Sequence, residues 1–70
     1  MIASKQAAIL RARLEALGWT PRVLARVSDI DEGTISHYLR GERTIGPANA
    51  LRLAKALALD AGRLIYGEES

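Results

Sequence analysis

The sequence predicts an all-α fold of five short helices, and three observations carry that prediction. Apolar residues recur at helical spacing along the chain, whereas no stretch alternates apolar and polar residues convincingly, as a half-buried strand would. Four sites combine a capping residue or a proline with flanking apolar residues, which is typical of helix starts. The chain has 70 residues, 49% of them apolar, so it can form one small domain with a thin core. We therefore expect a single domain over residues 1–70 that ends in a tail at 67–70.

The first helix is predicted near residues 3–17. Its apolar stripe consists of Ala7, Leu10, Leu14 and Leu17. These residues are three or four positions apart, so they fall on one face of a helix. Gly18 follows the stripe and can adopt the left-handed conformation that commonly ends a helix.

Three later helices are predicted to start at a side chain that can cap them. The capping oxygen of each can accept a hydrogen bond from the free amides of the first turn. Each cap also lies between an apolar residue directly before it and another four positions after it, the arrangement known as a hydrophobic staple. The caps are Thr20, Asp31 and Asp60, and the staples are Trp19 with Leu24, Ile30 with Ile35, and Leu59 with Leu64.

A fourth start is predicted at Gly46, because Pro47 follows it at a first helical position. The four later helices are therefore predicted near residues 21–28, 32–40, 47–58 and 61–66. The helix at 32–40, the third of the chain, has acidic residues around its start, which we interpret first as structural. Asp31 caps the helix, Glu32 lies at the positive end of its dipole, and Asp29 tolerates a positive φ in the preceding turn.

Composition and charge exclude several classes of function. The net charge of +2 is uneven, since residues 1–30 carry +3 and residues 31–70 carry −1. This balance permits a local nucleic-acid-binding patch without establishing one. The chain has no cysteine and one histidine, so we expect no metal and no cofactor. The apolar runs are too short to cross a membrane and no secretory signal is evident, so a cytoplasmic protein is expected.

An enzyme is not expected either. Ser36 and His37 are the best candidates for a nucleophile and its base, but they are adjacent in a predicted helix. Their side chains therefore point about 100° apart and cannot act as a pair. No glycine-rich phosphate loop is present.

Residues 21–40, PRVLARVSDIDEGTISHYLR, contain two amphipathic helices joined by about three residues, with Ala25 where the backbones must approach. This is the helix-turn-helix arrangement. Over about residues 9–67 the chain resembles the Cro/lambda-repressor-like, Xre-type helix-turn-helix DNA-binding domain. The segments that carry the resemblance are LGWT (17–20), LA (24–25), I (30), TIS (34–36), YLRGERTIGP (38–47), LRLAKAL (51–57) and LIYG (64–67). The resemblance implies a lambda-repressor-like helix-turn-helix bundle.

Three residues depart from the family pattern. Asp29 stands at the turn position that is usually glycine, and Ser28 stands where leucine is frequent. Pro21 replaces a glutamine that contacts phosphate in many members, and proline has no amide hydrogen to donate. Arg22 can take over that phosphate contact.

The resemblance implies sequence-specific binding of double-stranded DNA by a small transcriptional regulator, a repressor, whose third helix (32–40) enters the major groove. The base-reading residues would be Glu32, Gly33, Thr34, Ser36 and His37. Residues contacting phosphate would be Arg22, Arg26, Arg40, Arg43 and Thr44. His37 would donate to guanine, Glu32 would accept from cytosine, and the Thr34 methyl would meet thymine. Solvated surface roles are the alternative for Glu32, for His37 and for the arginines.

The remaining basic residues Arg11, Arg13, Arg52 and Lys55 are interpreted as solubilising charges, and Arg63 as a surface or interface residue.

One copy of such a domain would contact half of a palindromic operator, so a weak or DNA-assisted homodimer is expected. Its candidate interface is Leu64, Ile65 and Tyr66, with at least one of the three in the core instead. The alternative function is a protein-interaction module, such as an antitoxin or partner-binding subunit, which the low net charge and the acids near the third helix favour. The polar outward stripe of that helix argues against it, because protein interfaces rely on apolar anchors.

Overall fold

The computed structural model describes residues 2–67, and five α-helices form within that range. They are α1 (Ile2–Leu17), α2 (Pro21–Ser28), α3 (Glu32–Leu39), α4 (Pro47–Leu57) and α5 (Ala61–Tyr66). Each predicted helix is present with its ends displaced by at most one residue, so the predicted all-α fold class is confirmed. Of the predicted tail, residues 68–70 lie outside the described range.

The capping side chains hold the helix starts as their spacing predicts. Thr20 Oγ1 accepts a hydrogen bond from the amide of Val23 at 3.3 Å. The Oδ2 atoms of Asp31 and Asp60 accept from the amides three residues further on, at 3.2 and 3.0 Å. Gly46 begins α4 in an extended conformation without a side-chain cap, and Pro47 follows at the first helical position.

Left-handed residues end several of the helices. Gly18 has φ 68° after α1, and Asp29 has φ 58° after α2, as its position in the turn predicted. Ala58 was placed inside the fourth helix, but it has φ 56° and ends α4 at Leu57. The left-handed conformation costs a residue with a Cβ roughly 1–2 kcal/mol, so the surrounding structure must impose it.

Replacing Ala58 with glycine should therefore stabilise the protein. Glycine removes the left-handed strain but regains roughly 0.4–1 kcal/mol of freedom in the unfolded chain, which leaves a net gain of about 0.5–1 kcal/mol. Urea denaturation followed by circular dichroism measures the change. Ala12→Gly, at an exposed position inside α1, is the control and should cost about 1 kcal/mol. A loss of stability in Ala58→Gly would contradict the strain.

One core joins all five helices. α1 packs against α3 and α5, α2 packs against α3 and α4, and α4 packs against α5. The largest fully buried apolar side chains are Leu10, Leu24, Ile35, Leu53, Leu57 and Leu64. The core thus fixes α3 from its inner side.

Gln6 is the polar exception in this core, with no exposed surface. Its Oε1 accepts a hydrogen bond from the amide of Ile45 at 2.8 Å, and its Nε2 donates to the carbonyl of Ile65 at 3.1 Å. One α1 side chain therefore ties the loop between α3 and α4 to α5. Ile45 itself is buried, which anchors the end of that loop in the core.

Candidate nucleic-acid interface

The turn between α2 and α3 consists of three residues, Asp29 to Asp31. The amide of Ile30 donates to the carbonyl of Ala25 at 3.1 Å, which closes the C-terminus of α2. Arg52 reaches across from α4 and donates from Nη1 to the carbonyl of Asp29 at 3.1 Å. The turn between the two helices is therefore held by two hydrogen bonds, one from the amide after the left-handed Asp29 and one to the carbonyl of Asp29 itself.

Ser28, a departure from the family pattern, is accommodated within the core. The residue is buried, and its hydroxyl donates to the carbonyl of Leu24 at 2.6 Å. A buried hydroxyl without a partner would destabilise the fold, and this bond inside α2 removes that cost.

α3 divides into a buried face and a polar face. Ile35 is fully buried, and Tyr38 is nearly so, with its hydroxyl accepting a hydrogen bond from Asn49 Nδ2 at 2.8 Å. The five predicted base-reading residues all lie on the other sides of this helix. Glu32 and Gly33 are exposed, while Thr34, Ser36 and His37 are partly exposed. The polar side of α3 is thus open to an incoming molecule.

The structure gives a local reason for a glycine at position 33, which sequence inspection did not reveal. A Cβ at this position would lie 2.9 Å from Oδ2 of Asp31, the carboxylate that caps the same helix. Gly62 has the same relation to the cap Asp60, at 3.3 Å. Both caps follow the pattern Asp-X-Gly, in which the missing side chain leaves room for the capping carboxylate. The glycine in α3 therefore has a local role at the helix start beside its predicted role in contacting a base.

The chain reverses its direction directly after α3. The amide of Gly41 donates to the carbonyl of Tyr38 at 3.1 Å, and the amide of Glu42 donates to the carbonyl of His37 at 3.0 Å. These are the two bonds of a Schellman motif, which turns at the left-handed Gly41 (φ 70°). The motif brings residue 42 back beside residue 37.

Glu42 joins two of the predicted DNA contacts. Its Oε1 lies 2.8 Å from His37 Nδ1 and accepts a hydrogen bond from Arg40 Nε at 3.1 Å. The hydrogen bond from His37, and then that from Arg40, hold the pKa of the Glu42 carboxyl below its ordinary value. Glu42 is therefore a carboxylate at neutral pH. The sequence analysis did not select it, because pairing across a left-handed glycine has no local signature.

The predicted phosphate contacts differ in how they are held. Arg40 is bound to Glu42, and Arg22 lies 3.9 Å from Glu32, with both side chains of that pair mostly exposed. Arg26 and Arg43 are exposed and have neither a hydrogen-bond nor an ion-pair partner among residues 2–67. Thr44, also exposed, is next to the buried Ile45 in the loop that Gln6 holds.

Three of the arginines that were interpreted as solubilising charges also bind backbone carbonyls. Arg11 Nη1 donates to the carbonyl of Leu39, the last residue of α3. Arg13 Nε donates to the carbonyl of Leu57, the last residue of α4, at 2.8 Å. Together with Arg52, these guanidinium groups bind carbonyls at the C-termini of three helices, where a cation also opposes the negative end of the dipole. Lys55 is exposed, as expected.

The candidate dimer residues separate into core and surface. Leu64 is fully buried in the core, so it cannot contribute to an interface between copies. This agrees with the expectation that at least one of the three would be a core residue. Ile65 is partly buried against the core, and Tyr66 retains 67% of its surface.

These features define a class of protein: a helix-turn-helix domain whose second motif helix presents a polar face. The model of the helix-turn-helix family matches residues 10–64, more than half of the chain, and the protein belongs to this family of Cro/C1-type DNA-binding regulators. No characterised protein and no solved structure is significantly similar to the chain. Within residues 2–67, no helix has the length and apolar character needed to cross a membrane, and no cluster of acidic, histidine or cysteine side chains is arranged to hold a metal ion.

Proposed function

We propose that this DNA-binding domain recognises a specific double-stranded sequence with α3 in the major groove and acts as a small transcriptional repressor. The observation that carries the proposal is the division of α3. Its apolar residues Ile35 and Tyr38 are buried, and its polar residues remain at the surface of a rigid helix. The major groove is about 12 Å wide and admits one α-helix, so such a helix can bring its polar side chains to the base edges.

The residues around the polar face of α3 have separate roles in this proposal. Those that would contact bases are Glu32, Gly33, Thr34, Ser36 and His37. Those that would contact phosphate are Arg22, Arg26, Arg40, Arg43 and Thr44. Phosphate contacts fix the position of the protein on the duplex, whereas base contacts determine the preferred sequence.

A palindromic operator and a homodimer belong to the same proposal. Two copies would place their α3 helices about 34 Å apart on one side of the duplex. Ile65 and Tyr66 remain the candidate contacts between the copies, because Leu64 lies in the core. Dimerisation that depends on DNA would suit so small an exposed apolar surface.

Selection of bound duplexes from a random pool tests the function directly. A palindromic consensus with half-sites one helical turn apart is the expected outcome. Binding to that consensus should weaken linearly on a log–log plot as salt rises, because phosphate contacts release counterions. Recovery of unrelated sequences at every round would exclude sequence-specific recognition.

A protein-interaction module is the second candidate function. The observation in its favour is the pairing of Glu32 with Arg22 and of Glu42 with Arg40, which neutralises cations beside α3. Binding that requires a protein partner and shows no dependence on duplex sequence would support this candidate over the first.

His37→Ala should relax the preferred sequence at one base pair of each half-site. The variant removes a side chain from the exposed stripe of α3 and should reduce discrimination there by about 1–3 kcal/mol. Competition binding with all four base pairs at each position measures the change. Lys55→Ala, at an exposed position of α4, serves as the control and should leave every preference as it is. Unchanged discrimination in His37→Ala would remove His37 from the base-reading set.

A further inference from the structure

The contact between Glu42 and His37 restricts what the histidine can offer to DNA. Glu42 Oε1 lies 2.8 Å from Nδ1 of the ring, and the second ring nitrogen, Nε2, has no hydrogen-bond partner among residues 2–67. The His37 side chain keeps 42% of its surface exposed. We propose that Glu42 is a positioning residue that fixes the hydrogen-bonding state of His37 and thereby selects the class of base group that His37 recognises. This inference rests on the proposed function.

The first step is the direction of the hydrogen bond. A carboxylate can only accept, so the hydrogen in this contact must be on Nδ1. Arg40 Nε, which can only donate, binds the same oxygen at 3.1 Å and keeps it oriented toward both partners. Both donors thus make Oε1 an acceptor, and the ring is held as the Nδ1–H form.

The second step follows from the chemistry of imidazole. A neutral ring carries one N–H donor and one acceptor nitrogen. With the hydrogen held on Nδ1, Nε2 has only its lone pair, so it accepts hydrogen bonds from the solvent side. His37 would therefore recognise a base group that donates. In the major groove these groups are the exocyclic amines, N6 of adenine and N4 of cytosine.

This inference differs from the expectation drawn from the sequence. A histidine considered alone can donate to the N7 or O6 acceptor of guanine. Beside Glu42 the neutral ring has no donor left for that contact. The choice between amine and guanine acceptor is thus set by a residue that is outside α3 and need not contact any base.

The form of the histidine can be measured without DNA. The chain contains one histidine, so its two ring nitrogens give unambiguous nitrogen-15 NMR signals. The spectra are recorded at pH 8.5, well above the value of about 6.5 at which a histidine ordinarily becomes charged. We expect hydrogen on Nδ1 in the unmodified protein and a shift toward hydrogen on Nε2 in Glu42→Ala. Hydrogen on Nε2 in the unmodified protein would overturn the proposal.

Glu42→Gln is the matched variant, because it separates position from charge. Its amide oxygen can accept from Nδ1 and from Arg40 Nε as the carboxylate does, while the negative charge is gone. We expect this variant to keep hydrogen on Nδ1. If Glu42→Gln instead matches Glu42→Ala in its spectrum, a fixed acceptor oxygen is not what selects the form of the ring.

The consequence for DNA is tested at the same pH as the spectra, by changing single groups on a base. At the base pair whose preference His37→Ala relaxes, the exocyclic amine is removed in one duplex, and purine N7 is replaced by carbon in another. Removing the amine should weaken binding of the unmodified protein and of Glu42→Gln by roughly three- to tenfold, the range of one hydrogen bond. It should have little effect on Glu42→Ala, and removing N7 should have little effect on the unmodified protein.

The outcomes separate this inference from the proposed function. If no specific duplex is selected from a random pool, the proposed function fails while the NMR result still decides the form of His37. If a specific duplex is selected but binding depends on N7 and not on the amine, the function stands and the proposed role of Glu42 is overturned.

Discussion

Gln6→Ala should lower the free energy of unfolding by about 3 kcal/mol. The side chain is fully buried, and alanine would leave the amide of Ile45 and the carbonyl of Ile65 without their partners. An orphaned buried polar group costs roughly 1–3 kcal/mol, and the cavity left by the side chain adds to that cost. A domain of this size has a total stability of only about 4–10 kcal/mol, so the loss is a large fraction. Thermal denaturation followed by circular dichroism should show a decrease in Tm of about 12–24 °C.

Two further variants identify the cause of that loss. Lys5→Ala changes the exposed neighbour on the same helix and should alter stability little. Gln6→Met fills the same space but can make neither hydrogen bond, so it should retain most of the penalty. If Gln6→Met is as stable as the unmodified protein, packing rather than hydrogen bonding is what the glutamine contributes.

The fold was predictable because its signals are local. The caps Thr20, Asp31 and Asp60 act on amides three residues away, and the apolar stripes repeat within a few turns. Such patterns can be recognised in any window of the chain. The end of α4 was placed one residue late because alanine carries no signal for a positive φ. At the left-handed Ala58 the chain turns so that the Leu59 amide donates to the carbonyl of Ala54 at 2.8 Å.

The supports of the candidate site were not predictable, because they join residues far apart in sequence. Arg13 reaches a carbonyl 44 positions away, and Gln6 reaches one 59 positions away. The sequence does not distinguish an arginine that binds a carbonyl at a helix C-terminus from an arginine whose side chain is in solvent. The net charge was also a poor guide to the face around α3, because three of the counted cations, Arg11, Arg13 and Arg52, bind backbone carbonyls at helix ends.

The polar stripe of α3 was predictable, but the state of its side chains was not. Helical spacing places Ser36 and His37 away from the buried Ile35, and the structure agrees. The pairing of His37 with Glu42 depends on the Schellman motif at Gly41, which the sequence shows only as a possible turn. A prediction of which residues line a surface is thus more secure than a prediction of which atoms they offer.

The double variant Arg26→Ala, Arg43→Ala should weaken binding to every duplex by roughly 60-fold at 0.1 M salt. Both arginines are exposed and have no partner among residues 2–67, so their charge is fully available to phosphate. Each phosphate contact changes the slope of log K against log salt by about 0.9, which corresponds to roughly eightfold in affinity per contact at 0.1 M. The slope of the double variant should therefore fall by about 1.8. Fluorescence anisotropy with one specific and one scrambled duplex, over a range of salt concentrations, measures both quantities.

The matched control is the double variant Lys5→Ala, Lys55→Ala, which removes two exposed positive charges that are not among the proposed DNA contacts. This control removes the same amount of positive charge, but its salt slope should stay close to that of the unmodified protein, because the slope reports phosphate contacts. Because phosphate contacts carry no sequence information, the ratio of specific to scrambled binding should also be the same with and without Arg26 and Arg43. A ratio that collapses in the double variant, with the slope unchanged, would mean that these arginines contact bases and that the placement of α3 in the groove must be revised.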